Sequence, residues 1–372
     1  VSGGSPFAAR FDRARAAMVE LGTEALLLSV GPDLPWLCGY EAMPLERLTM
    51  LVVTADDATL VVPRLEAPRV VERPDLFTLR PWDETEDPVA LCAGLLGSAR
   101  HVAVGDRTWA RFVVELLAAV PDLHLGRSSD VCGPLREVKD PHEIAALHRA
   151  GAAVDRIAAE VQAGQIPLVG RTEAEVSAEL GRRILAEGHH RVNFAIVAAG
   201  ANAASPHHEP GDTVIEPDQV VLCDFGGTLL DEFGVGYCSD ITRCVWTGPP
   251  PTEAREVYDV LRTAHAAAVE QVAPGASCES VDRAARAVIE EAGLGDRFIH
   301  RTGHGMGVEE HEDPYIVEGN AAPIRPGHCF SIEPGIYLDG RFGFRLEDCV
   351  IVTAGGVDPL TDVDHSLVAV DA

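Results

Sequence analysis

Residues 220–246 read VVLCDFGGTLLDEFGVGYCSDITRCVW. Two apolar runs, VVLC and ITRCVW, flank a segment of glycines and acids, a pattern of two strands joined by a turn. Asp224 stands at the inner end of the first run and Asp240 just before the second. Flanks this apolar are expected to be buried, and a buried carboxylate needs a compensating charge or strong donors.

The motif recurs downstream. Glu333 follows CFSI, and Glu347 follows FGFRL. Histidines fall in two further clusters, His207 and His208 in ASPHHEPGD and His304 and His311 in GHGMGVEEHEDP. Each residue alone has a plain structural explanation, as a turn acid, a strand cap or a satisfied histidine. Together the four acids outnumber the nearby Arg345, and metal cations would hold such a crowd in place. Four carboxylates and one imidazole are a hard, oxygen-rich set. It favours Mn²⁺, Co²⁺ or Fe²⁺ over a thiolate or tri-histidine zinc centre. Five ligands exceed what one catalytic ion with open positions uses, and suit two ions about 3.5–4 Å apart. No H-E-x-x-H helix is present, so the common single-zinc protease plan does not apply. His304 and His311, seven apart, would face opposite sides of a straight strand. Sharing a cavity requires a bend, which Gly303, Gly305 and Gly307 permit.

The rest of the chain supplies the frame. Its 372 residues allow two domains, and an apolar share of 47% allows a core in each. A net charge of −28 argues against nucleic acid and anionic membrane partners. No apolar run approaches the roughly 20 residues of a membrane span, and the start, VSGGSPFAAR, lacks the plan of a signal peptide. Nine cysteines without a C-x-x-C fit reduced, buried thiols and a cytoplasmic location. Alternating helix and strand patterns over 1–134 predict a compact α/β domain without clustered chemistry. The second domain, 135–372, begins at DPHE, where Asp140 caps a helix, Pro141 takes its first position and Glu143 completes a capping box. Two pairs of alanine-rich helices, each pair followed by strand-like runs, predict two similar halves facing across a cleft.

The ordered motifs DFG…SDITR, GHGMG…HE, SIEPGIY and RLED resemble the pita-bread metallopeptidases, which include prolidase, aminopeptidase P and methionine aminopeptidase. The resemblance covers 135–370, and the separate amino-terminal domain points to the prolidase and aminopeptidase P branch. It implies an α+β chain: a creatinase-N-like α/β domain, then a pita-bread catalytic domain with pseudo-twofold halves. It further implies two divalent ions, Mn²⁺ first with Co²⁺, Fe²⁺ or Zn²⁺ as alternatives, held by Asp224, Asp240, His304, Glu333 and Glu347. Asp240 and Glu347 would bridge, and Glu333 would shuttle the proton. His207 and His311 would contact substrate and the developing oxyanion, with Arg345 and Thr242 supporting the ligands from behind.

The implied activity is hydrolysis of the Xaa-Pro bond at the amino end of short peptides, in a homodimer. Many dipeptidases of the family carry an Arg shortly after HE-x-P that can hold the substrate's carboxylate. This chain has Tyr315 there, which is expected to contact substrate and leans towards longer peptides, as in aminopeptidase P. A metal-retaining hydrolase of a small non-peptide amide and a non-catalytic binding module are the alternatives. The link between Asp224 and Asp240 is several residues longer than the family's usual hairpin. The extra segment near LDEFG is expected to lengthen the tip, leaving Asp231 a loop acid; a remodelled hairpin would instead let Asp231 replace Asp224.

Overall fold

The structure, a computed structural model, describes residues 5–371. Contacts divide the chain into two compact units, one reaching Arg136 and including Asp231–Val235, the other comprising Glu137–Leu230 and the chain from Gly236 onward.

The first unit runs α1 (Phe7–Leu21), β1 (Ala25–Leu28), α2 (Asp33–Cys38), β2 (Met50–Thr54), β3 (Ala58–Pro63), β4 (Thr78–Trp82), α3 (Pro88–Leu96), β5 (His101–Val104), α4 (Ala110–Ala119), β6 (His124–Arg127) and α5 (Ser129–Glu137). Its strands form one mixed sheet in the order β4-β3-β2-β1-β5-β6. Cys92 and Leu96 of α3 and Phe112 and Leu116 of α4 pack on Leu27, Val52 and Val61 of the sheet. The buried acid Asp33 is fully partnered, by Arg136 Nη1 at 2.6 Å and Ser128 Oγ at 2.6 Å.

The second unit begins with α6 (Pro141–Gln162) and α7 (Glu173–Ala186). Asp140 Oδ1 accepts from the amides of His142 and Glu143, while Glu143 Oε2 accepts from the Asp140 amide. Thr172 and Glu175 repeat the box on α7. Such caps satisfy donors that a helix cannot pair internally, each contributing about 1 kcal/mol. Then come β7 (Arg191–Ala199), β8 (Val220–Leu230), β9 (Gly236–Cys238) and β10 (Ile241–Thr247). The second half opens with α8 (Thr252–Gln271) and α9 (Cys278–Glu291). Its strands are β11 (Gly303–Gly305), β12 (Glu312–Ile316), β13 (Cys329–Ile332), β14 (Gly335–Leu338), β15 (Phe342–Arg345), β16 (Asp348–Thr353), β17 (Gly356–Pro359) and β18 (Val368–Val370). One sheet is ordered β18-β10-β8-β7 and the other β12-β11-β13-β16-β17, with β14 and β15 pairing separately. Helix pair followed by sheet thus occurs twice, in the order the alanine-rich repeats predict.

Residue alternation along β8 explains what the sheets hold between them. Val221, Cys223 and Phe225 pack towards α6 and α7, while Val220 and Leu222 face the second half. Asp224 shares the parity of Leu222, and successive strand side chains point to opposite faces. It is therefore carried towards the second half, as is Thr242, its register partner on β10. An isolated bridge, Thr242 to Glu347, joins the two sheets at this point.

The long hairpin keeps its ladder from Val220↔Trp246 to Phe225↔Ile241. Close strand approach explains Gly226: a Cβ there would lie 2.0 Å from the Ser239 carbonyl oxygen. The extra residues form the tip, where Asp231 Oδ1 accepts from the amides of Phe233 and Val235, both at 2.8 Å. Asp231 closes its own turn and leaves the place of Asp224 to Asp224. Within the first unit, Phe233 of this tip meets Phe7 edge to face, with centroids 5.9 Å apart.

Candidate active site

A cavity of about 730 Å³ opens in the second unit, lined by Asp224, Asp240, His304, Glu333, Glu347, Arg345, His207 and His311 among others. Asp224 comes from β8, Asp240 from the turn before β10, His304 from β11, Glu333 from the end of β13, and Glu347 from the turn before β16. Asp240, His304 and Glu347 each bring one side-chain oxygen or nitrogen within 4.8 Å of the others, a group that could hold a metal ion. His304 Nε2 stands 3.2 Å from Glu333 Oε1 and 3.7 Å from Asp240 Oδ2.

The bend that the glycines permit is present. A register shift interrupts the β11–β12 ladder between Gly303 and Gly305, and the chain turns before β12. The His304 and His311 rings consequently lie 4.0 Å apart at their centroids.

The acids are crowded and incompletely satisfied. Asp224 is hydrogen-bonded to the Arg345 guanidinium, yet its Oδ1 and that of Asp240 are buried without a hydrogen-bond partner. Burial pushes the Asp240 carboxyl well above the usual carboxylate range, with Glu347, Asp224 and Glu333 adding to the shift. Glu347 is raised well above its usual value too, by burial and then by Glu333 and Asp224. Asp224 rises through burial, with Arg345 holding it back. Glu333 goes the other way. Burial would raise it, but the His304 hydrogen bond and charge, with His300 and Arg345, bring it to about 2. Three carboxyls that resist ionisation, two with unpartnered oxygens, form a donor set that hard divalent cations fit.

Side chains behind the acids fix their directions. Thr242 Oγ1 donates to Glu347 Oε2 at 2.7 Å and accepts from Arg345 Nε at 3.2 Å. Ser331 Oγ accepts from the His304 amide at 3.0 Å and donates to Glu333 Oε1 at 3.2 Å. His304 Nδ1 lies 3.2 Å from the Gly305 carbonyl oxygen. A carbonyl can only accept, so Nδ1 carries a hydrogen, and Nε2 is turned to the cavity beside Glu333. His311 is pushed down to about 4, chiefly by burial and then by His304 and Arg301, so its imidazole is neutral near pH 7.

Tyr315 is not among the cavity-lining residues. It lies on β12 with the Arg301 guanidinium 4.6 Å over its ring, and Arg301 does line the cavity. Arg301 and His300 escaped the sequence reading. His300 also lines the cavity, and its Nε2 meets the Tyr337 hydroxyl at 2.8 Å, which accepts from Arg345 Nη1 at 3.1 Å. The signal was the run HRTGHGMG, where the two residues precede a glycine-flanked histidine. His208 is drawn away from the cavity, its Nε2 2.7 Å from Glu173 Oε2.

Residues 144–354 match Metallopeptidase family M24, and residues 10–138 match the Creatinase/Prolidase N-terminal domain. The chain belongs to metallopeptidase family M24. It is 42% identical over 369 residues to a protein named probable dipeptidase PepE from Mycobacterium tuberculosis, covering 98% of this chain and 96% of that one. A protein named Xaa-Pro dipeptidase from Lactobacillus helveticus is 37% identical, across 88% of this chain and 90% of its own length. The crystal structure of a prolidase from Thermococcus sibiricus superposes with a TM-score of 0.91 at 34% identity, covering 99% of this chain and all of the other. Membership of this metallopeptidase family implies bound divalent metal ions and short peptide substrates. Among the described residues, no helix of this M24 peptidase is long and apolar enough to cross a membrane.

Proposed function

We propose that this M24 peptidase hydrolyses the Xaa-Pro bond at the amino end of short peptides, with two divalent ions, Mn²⁺ first, held by Asp224, Asp240, His304, Glu333 and Glu347. The observation that carries this is the convergence of three buried carboxylates, the partly buried Glu333 and one imidazole on a single cavity, with two carboxylate oxygens lacking any partner. Asp240 and Glu347 are suited to bridge two ions, each being a buried carboxylate surrounded by other acids. The ions supply Lewis acidity and lower the pKa of water so that a nucleophile forms near neutral pH. Glu333, at the inner wall beside His304, takes the water's proton and delivers it to the departing proline nitrogen. His311 and His207 donate to the carbonyl oxygen as its negative charge develops. Since His311 is neutral near pH 7, it acts as a hydrogen-bond donor there. Thr242 and Arg345 keep Glu347 and Asp224 in place, as groups behind metal ligands do. The bond before proline is a tertiary amide with no N–H, so the site needs no acceptor for one.

The substrate's free amine and the peptide's length are the remaining choices. The names borne by the relatives favour dipeptides over the longer chains that Tyr315 alone suggested. The test is stoichiometric and kinetic together. Dialysed protein reloaded with Mn²⁺ should bind close to two ions per chain and recover turnover of Ala-Pro. Binding of a single ion with full turnover would refute the dinuclear site; two ions with no turnover of any Xaa-Pro peptide would refute the substrate class.

A further inference from the structure

One residue past Glu347, a second group of metal-ligating side chains converges. His265 on α8, Asp348 at the start of β16 and His365 in the loop before β18 bring one ligand atom each within 4.8 Å of one another. None of the three is among the residues lining the acid cavity. Asp348 Oδ1 is already engaged, accepting from Arg243 Nη2 at 2.6 Å and from Thr361 Oγ1 at 3.2 Å. Oδ2 faces two imidazoles instead, with His365 Nε2 at 2.6 Å and His265 Nε2 at 3.3 Å. Both Nε2 atoms are buried, and among the described residues neither has a hydrogen-bond partner. The His265 side chain is only 4% exposed, and a nitrogen buried that deeply without a partner calls for an explanation. The Ile332 backbone hydrogen-bonds the His265 ring. With Nε2 unpartnered, that bond falls to Nδ1, the arrangement that fixes a ring's direction and leaves Nε2 as a ligand atom.

We propose that His265, Asp348 and His365 form a structural divalent-metal site, suited to Zn²⁺ and separate from the acid cavity. Two imidazoles and one carboxylate are a nitrogen-rich set, unlike the four carboxylates and single imidazole of the cavity, and they favour Zn²⁺ over Mn²⁺. Ligand atoms about 2.0 Å from a tetrahedral ion stand about 3.3 Å from one another. His265 and Asp348 already have that separation. His365 and Asp348 are closer, and the pair opens by a small shift of His365, which sits on a loop with its side chain 35% exposed. The same exposure leaves a fourth position open to water. Arg243 holds the carboxylate by Oδ1, as groups behind metal ligands do, and leaves Oδ2 to the ion. An ion there ties α8 and β16 to the segment leading into β18, which pairs with β10 in the other sheet. It staples the two halves together beside the turn that presents Glu347, and it stabilises the fold because the unfolded chain does not hold these three side chains together. The site does not depend on the Xaa-Pro reaction.

The experiment counts ions and reads their coordination. Full-length Asp240→Asn/Glu347→Gln protein, stripped with EDTA, lacks both cavity acids suited to bridging. It should still bind one Zn²⁺ per chain, and Zn²⁺ should raise its thermal midpoint by a few degrees. Adding His365→Asn should abolish both that equivalent and the shift. Loaded with Co²⁺ instead, the double variant should show the intense visible bands of a four-coordinate ion. Adding His365→Cys to it should bring a thiolate-to-cobalt charge-transfer band, which only direct ligation from position 365 produces. Wild type against His365→Asn alone makes the same count without the cavity changes, and a difference of one Zn²⁺ is expected. Equal counts in that pair, or a double variant that folds and binds no Zn²⁺, would overturn the site.

Discussion

Glu347 and Asp348 are chain neighbours with opposite surroundings. Glu347 points into the acid cavity, accepts one side-chain hydrogen bond from Thr242, and is pushed well above its usual pKa. Asp348 lies among donors, one of them the buried Arg243 guanidinium. Arg243 Nη2 donates to its Oδ1 at 2.6 Å, Thr361 Oγ1 donates at 3.2 Å, and the His365 and His265 Nε2 atoms stand 2.6 and 3.3 Å from Oδ2. Burial would raise Asp348, but Arg243 and the histidines hold it well below the carboxylate range. Arg243 also donates to the Glu347 and Thr242 carbonyls, at 2.6 and 3.0 Å, and so holds the backbone that presents the cavity acid. One acid is placed where burial and neighbouring acids make its charge unfavourable; the next is neutralised on the spot and anchors the first. Function is visible as an electrostatic conflict, and structure as its resolution.

The contrast can be broken in several ways. Glu333→Gln should lower kcat on Ala-Pro by about 10³-fold, within the range of general acid–base contributions, with an unchanged circular dichroism spectrum. Near-normal turnover in a folded variant would remove Glu333 from the proton path. Asp348→Asn should destabilise the protein by about 3–5 kcal/mol, because it leaves Arg243 buried without its partner charge. Glu347→Gln should leave the metal-free protein at least as stable as wild type while abolishing turnover. Urea unfolding of the two variants, side by side, checks both statements; equal destabilisation would erase the distinction between the two acids.

The pH dependence should differ in sign. Asp240 and Glu347 have raised pKa values in the folded, metal-free protein, so the folded chain holds more protons than the unfolded chain. Their contribution is fully present below the ordinary carboxylate pKa and is lost as pH rises through the folded values. Asp348 is depressed; its contribution is present above its ordinary value, 3.8, and is lost as pH falls through the folded one. Metal-free protein should therefore lose stability as pH rises above about 4–5, by at most about 1.4 kcal/mol per pH unit per group, and saturating Mn²⁺ should remove that loss. A metal-free stability curve flat across this window would contradict the crowding of the acids. The smallest effect is expected for Thr242→Val. It removes hydrogen bonds to Glu347 and Arg345, about 1 kcal/mol, and should lower kcat/KM by roughly tenfold or less with a measurable loss of Mn²⁺ affinity. An unchanged affinity would show that Glu347 is oriented by its backbone alone.

Local signals were plainly legible. The capping boxes at Asp140 and Thr172, the apolar runs on either side of Asp224 and Asp240, and the paired helices recurring in each half all follow from propensities acting over a few residues. So does the placement of Asp231, since an acid followed by Glu-Phe-Gly can close a turn with its own side chain. The short strands β9, β17 and β18 and the β14–β15 hairpin were not legible, because three or four residues carry too little periodicity to register. His300 and Arg301 were missed for a different cause. Nothing in a polar residue before a strand says whether it faces solvent, a core or a cavity until the opposing strand is known.

By itself, the sequence determined that acids stand at the inner ends of apolar runs, that glycines surround His304, and that the order of these motifs is that of an M24 peptidase. These are properties of chain-adjacent residues, where steric and hydrophobic preferences act directly. Only the tertiary structure decided that Glu347 and Asp348 part company across one turn, that His304 and His311 meet, and that Tyr315 carries an arginine in place of being one. Those outcomes depend on charges and rings brought together from distant segments, and a Coulomb interaction is set by separation in space, which sequence distance does not specify.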